Sequence, residues 1–127
     1  MLINAQDEIK RKLLEECRTI AVVGLDSDPN MPSNYVSLYL QRQGYKIVPV
    51  NPFLEEVLGE KSYPDLQSVP FKVDVVDVFR RSEAVHGIVK SAQELGIPAV
   101  WVQPGIDCAG ETLQLAQENH MLLIRDA

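Results

Sequence analysis

The sequence predicts an α/β protein: a Rossmann-like three-layer sandwich with a five-stranded parallel sheet, preceded by an N-terminal helix. Three observations carry this. Short apolar runs rich in β-branched residues alternate with stretches whose apolar residues fall at helical spacing. The runs are apolar on both faces, as in strands covered by helices on either side. No repeat and no low-complexity linker interrupts the alternation, so the 127 residues read as one domain.

Ile9, Leu13, Leu14 and Cys17 share one helical face and predict a first helix within residues 5–17. Thr19-Ile20-Ala21-Val22-Val23-Gly24-Leu25 is the first buried strand. A polar loop over residues 26–32 leads to a helix that starts near Ser33, its N-cap. That helix ends at Gly44, a C′ residue free to take positive φ. Val36, Tyr39 and Leu40 give it an inner face.

Lys46-Ile47-Val48-Pro49-Val50 is the second strand. Pro49 has no amide donor, which puts it at a gap in the ladder or near a sheet edge. Asn51-Pro52 stops the strand, and a crossover with a weak helical signal runs to Pro70. The third strand spans 73–79. The next helix spans 82–95, with Ser82 as cap, Glu83 at its positive end and Gly96 closing it. Residues 99–103, 109–119 and 121–124 give the fourth strand, the last helix and the final strand. Such alternation implies right-handed crossovers. The general preference of the architecture favours strand order 3-2-1-4-5 over 2-1-3-4-5, and the residues leave the choice open.

The chain is 46% hydrophobic and 24% charged, with 18 acidic against 12 basic side chains and a formal charge of −6. That balance argues against nucleic acid and against an anionic membrane surface. It does not exclude a small anionic ligand, which feels the local field. Two cysteines, Cys17 and Cys108, make neither a disulfide framework nor a zinc pattern. No signal peptide is recognisable, and no apolar run approaches the roughly 18 residues of a membrane span. A reducing, cytoplasmic setting is expected.

Ligands of this architecture bind beyond the C-terminal strand ends. The dinucleotide fingerprint is absent: the first βα loop has only Gly24, and Asn51 rather than an acid follows the second strand, so NAD is disfavoured. The loop is long and stiffened by Pro29 and Pro32, and Ser27, Ser33 and Asn34 can donate to phosphate oxygens. It reads as a shaped anion site, or alternatively as a solvated loop in which Gly24 makes a tight turn. Arg80 and Arg81, the only adjacent arginines, leave the third strand next to a helix start. They suit a phosphate, or alternatively a surface ion pair with Glu83 or Glu111.

Several tracts together resemble the small stand-alone CoA-binding proteins, which are similar to the N-terminal CoA-binding domain of the succinyl-CoA synthetase α-subunit. They are residues 19–25, Pro32-Ser33, residues 44–52, Val57-Leu58-Gly59 and residues 75–80. The resemblance implies coenzyme A as cofactor. It implies Gly24 and Ser27 against the pyrophosphate, with Ser33 at the helix start. Asn51 and Pro52 would flank the adenosine, and Val78, Phe79 and Arg80 would lie along the nucleotide or pantetheine arm. The chain departs from the family pattern at two cationic positions, where it has Tyr35 and Phe53, and it ends at Asp126-Ala127.

No complete catalytic constellation is present. His86 and His120 lack a recognisable orienting partner, Cys108 lacks a flanking base, and Asp74 and Asp77 point to opposite faces of their strand. Trp101 and Phe79 read as core aromatics. The expected function is a CoA or acyl-CoA binding module, acting as sensor, carrier or partner subunit, with a homodimer or a partner enzyme as candidate assembly. The alternatives are an enzyme completed by a separate chain and an interaction domain that has lost its ligand.

Overall fold

The structure, a computed structural model, describes residues 5–103, 106, 108 and 110–125. Helix α1 (Ala5–Glu16) leads into β1 (Thr19–Val23), α2 (Pro32–Arg42) and β2 (Lys46–Val50). A hairpin of β3 (Glu56–Val57) and β4 (Glu60–Lys61) and one 3-10 turn (Leu66–Ser68) precede β5 (Val75–Val78). Then come α3 (Ser82–Glu94), β6 (Ala99–Val102), α4 (Gly110–Glu118) and β7 (Leu122–Arg125).

The five long strands form one parallel sheet in the order β2-β1-β5-β6-β7. In the count of sheet strands this is 2-1-3-4-5, which corrects the expected 3-2-1-4-5. Pro49 supplies the physical reason. Val50 turns its carbonyl inward to Gly24, whereas Pro49 and Asn51 face outward, towards Tyr63. A third strand on that outer side would need an amide that Pro49 does not have. The second strand is therefore the edge, and the third pairs with β1 instead.

Side chains alternate across the sheet and build two cores. On one face Ala21, Val48, Val76, Val78 and Val100 pack under Val85, Val89 and Ala92 of α3. On the other, Ile20, Val22, Ile47 and Val75 pack under Leu13 of α1, Cys17 just after that helix, and Leu40 of α2. Trp101 and Phe79 are half-buried against this second core, as expected of core aromatics. Helix α4 leans on α3, where His86 Nδ1 lies 2.8 Å from Oγ1 of the fully buried Thr112. His86 thus has an orienting partner that the sequence did not reveal.

Four local expectations change. The crossover after β2 carries a hairpin turned by Leu58 and Gly59, both at positive φ, instead of a helix. Helix α2 starts at Pro32 with Met31 as an N-cap lacking a side-chain bond, so Ser33 is not the cap. Helix α3 is preceded by Arg81 as N-cap, so Ser82 is its first residue. Tyr39 is 63% exposed, and the buried positions of α2 are the small polar Ser33, Asn34 and Ser37. The phase of the helix is set by what Ser33 and Asn34 hold, and Tyr35 and Tyr39 are left on its outer face.

Helix α1 is fastened to the body by the Tyr45 hydroxyl, which donates to the Leu14 carbonyl, and by Lys10 lying 5.5 Å from the Trp101 ring centroid. Replacing Tyr45→Phe removes that hydrogen bond while keeping the ring. The expected cost is about 1 kcal/mol of unfolding free energy, read by denaturant titration, with faster amide exchange confined to α1.

Candidate functional site

The strand order reverses between β1 and β5, because β2 lies to one side of β1 and β5, β6 and β7 to the other. In open α/β sheets ligands settle at such a switch point, beyond the C-terminal strand ends. Two chain segments leave the sheet there, at Gly24 and at Phe79-Arg80. They touch. Gly24 has φ +90, and a Cβ on it would stand 2.4 Å from the Phe79 carbonyl oxygen and 3.0 Å from Arg80 Cδ. Gly24 also donates its amide to Val50, and Phe79 donates to Val23. Glycine is required for this backbone contact, and the contact lays the Arg80 stem across the end of β1.

The loop after Gly24 is built from its own side chains. Asp26 donates its amide to Ser33 Oγ at 2.9 Å, and Asn34 Nδ2 donates to the Asp26 carbonyl at 2.8 Å. The Asp26 carboxylate accepts from the Asp28 amide, and the Asp28 carboxylate from the Asn30 amide. Two successive Asx turns result. Ser33 and Asn34, each 4% exposed, are thus struts of the loop. Ser27 is exposed on it. Asn51 is a strut too: its Nδ2 donates to the Leu25 carbonyl at 3.1 Å, and its Oδ1 accepts from Phe53 N at 2.9 Å.

Beside this junction lies an open cleft of about 400 Å³ on the α3 face of the sheet. Small-molecule sites occupy roughly 300–1,000 Å³. Val23, Val50, Leu66 and Ile88 form an apolar floor, and Pro52 and Phe53 stand on one side. Arg80, Asp65, Gln67 and Ser91 supply polar groups. Phe53 is 86% exposed. Two of the helices that start from this edge of the sheet, α2 and α3, begin without a side-chain cap. Their first amides and dipoles favour negative charge there. Arg81 is exposed at the start of α3.

The structure thus gathers Gly24, Pro52 and Arg80 at one junction, with Asn51 tying it together. Val78 is fully buried in the core, so it offers a ligand only its backbone. The sequence reading placed Phe53 only where the family pattern has a cation, and it missed Asp65 and the inner side of α3 as cleft residues. The crossover carries no periodic signal, so its path over the sheet could not be traced. Asp77 was weighed only as a partner of Asp74. It is 5% exposed in the middle of β5, and Gln103 Nε2 donates to its Oδ1. Burial pushes its carboxyl up to about 7, against the opposing pull of the Gln103 bond. Burial also raises the Cys17 thiol, as does nearby Asp74, so Cys17 stays protonated and inert. Among the described residues no group of His, Cys, Asp or Glu is placed to hold a metal ion. No described helix is long and apolar enough to cross a membrane.

Comparison with known proteins bears on this site. Residues 18–127 match the family described as a CoA binding domain. The chain is 39% identical over 119 residues to an uncharacterized protein of Bacillus subtilis, YneT, covering 94% of this chain and 87% of that one. It is 29% identical over 97 residues to the ADP-forming acetate–CoA ligase II of Archaeoglobus fulgidus, covering 74% of this chain but only 14% of the ligase. A hypothetical protein from Pyrococcus horikoshii superimposes with a TM-score of 0.89 at 35% identity, over 94% of this chain and 84% of that one. The chain belongs to the CoA-binding domain family.

Two measurements test the site's construction. Gly24→Ala forces a side chain onto the Phe79 carbonyl at positive φ, and about 2–4 kcal/mol of stability should be lost in denaturant unfolding. For Asp77 the folded protein keeps a proton that the unfolded chain releases above pH about 4. Its contribution to stability therefore falls as pH rises from about 4 to about 7, by up to roughly 1.4 kcal/mol per pH unit, and levels off above. Asp77→Asn should remove that slope from the unfolding free energy measured across the same range.

Proposed function

We propose that this protein binds coenzyme A, or an acyl-CoA, across the C-terminal ends of β2, β1 and β5, as a module without catalysis of its own. The observation that carries the reading is the cleft at the switch point. It joins an apolar floor and the Arg80 guanidinium beside the uncapped start of α3, in a chain whose net charge is −6. Membership of the CoA-binding family supplies the ligand class.

In this reading the pyrophosphate lies against Gly24 and Ser27 at the start of α2, where Ser33 and Asn34 hold the loop in shape. The Asp26 and Asp28 carboxylates are engaged by loop amides, which offsets part of their repulsion. Arg80 and Arg81 supply positive charge. Other cations, Arg18, Lys46 and Lys72, stand at the opposite edge, where β1, β2 and β5 begin. Asn51 and Pro52 flank the adenosine, and the exposed Phe53 ring offers a stacking face beside it. The arm passes the backbone of Val78 and Phe79.

The related ligase is about seven times longer than the stretch this chain matches, so its ligation is not carried over. A carrier or partner-subunit role suits a binding unit of this kind, acting as one domain over residues 1–127. A buried Cys17 thiol held protonated suits a reducing cytoplasm.

Millimolar CoA should raise the melting temperature, since a ligand that binds only the native state stabilises it by mass action. A folded protein with no shift overturns the reading. Arg80→Ala should weaken CoA binding by about 1.5–3 kcal/mol in calorimetry if it makes a charge-assisted bond. Unchanged affinity would remove Arg80 from the site.

A further inference from the structure

Asp77 is unusual for its place. It occupies a strand of valines, between Val22 on β1 and Trp101 on β6 in the ladder register, on the face covered by α1 and α2. A carboxyl at that position, 5% exposed, carries a desolvation cost that valine would not. Among the described residues no lysine or arginine pairs with it. What it holds is Gln103, the residue that follows β6 at the C-terminal edge of the sheet. Gln103 is half-buried, and one of its amide hydrogens is committed to Asp77 Oδ1. Its carbonyl oxygen and second amide hydrogen are thereby fixed in direction and remain for another partner.

The strand ends run in the order β2, β1, β5, β6, so Asn51, Gly24, Phe79 and Gln103 follow one another along the edge. Adjacent strands lie about 4.8 Å apart. The distance from the β2 end, where the adenosine is read, to the β6 end is therefore roughly three such spacings. An extended CoA continues past its pyrophosphate by an arm that carries two amide groups. Resting on the CoA reading above, we infer that Gln103 is the polar contact for the amide-bearing arm, and that Asp77 is a positioning residue that aims it. The buried carboxyl then has a role at the ligand edge: it orients an amide that must meet another amide in a defined direction.

The test compares two probes, CoA and adenosine 3′,5′-bisphosphate, which lacks the arm. Gln103→Ala should weaken CoA about three- to tenfold, the worth of one amide hydrogen bond, and leave the bisphosphate unchanged. Asp77→Val should weaken CoA similarly while the melting temperature at pH 8 holds or rises, a split that a merely structural residue would not give. Asp77→Asn, which can still accept from Gln103, should bind CoA as the native protein does. The inference is overturned if either the Gln103→Ala or the Asp77→Val protein keeps the native ratio of CoA to bisphosphate affinity. A native protein that binds neither probe overturns the CoA reading itself, an outcome distinct from an unchanged ratio.

Discussion

The contact between Gly24 and the Phe79 carbonyl is the constraint on which the rest of the candidate site hangs. Two chain segments leave adjacent parallel strands and turn towards opposite faces of the sheet, one to α2 and one to α3. They can diverge from so close a start only if one of them has no side chain at the crossing. Once Gly24 meets that condition, the Arg80 stem lies over β1, the α2 and α3 starts face the same edge, and the cleft opens between α3 and the crossover. The hydrogen bonds that the Gly24 amide donates to the Val50 carbonyl and the Phe79 amide to the Val23 carbonyl lock the three strand ends together.

Most of the scaffold was legible in the sequence because burial on both faces leaves a plain mark. The β-branched runs at β1, β5 and β6 gave the strands, and the glycines after α2 and α3 gave helix ends, at φ +101 for Gly44 and +73 for Gly96. The strand order was legible as well, at one residue. Pro49 marks an edge, and only 2-1-3-4-5 leaves the second strand at one. A general preference for the other order outweighed that specific signal in the sequence reading. The hairpin at Leu58-Gly59 was hidden because strands of two residues carry no periodicity.

The candidate site was legible by position more than by role. Strand ends can be counted along a chain, so Gly24, Asn51 and Arg80 were found. Which atoms of Ser33, Asn34 and Asn51 face outward cannot be counted. Each turned out to hold backbone of the same protein, because a loop that leaves the sheet must satisfy its own amides before it meets a ligand. Asp77 escaped for the converse reason. It was weighed only as a partner for Asp74 and set aside because the two face opposite sides, whereas the cover from α1 and α2 that buries it becomes visible only in three dimensions.

The outer side of β2 has a further consequence, for the protein's behaviour at high concentration. An unpaired strand border is a template on which another chain can add, the first step towards fibres. Here Tyr63 already takes the Pro49 carbonyl and the Asn51 amide, and Pro49 has no amide of its own to offer on that side. The neighbouring hairpin carries Glu55, Glu56 and Glu60 against the single Lys61, so an approaching strand also meets net negative charge on this acidic protein. The imino acid that set the order of the sheet thus also guards its border against self-association into aggregates.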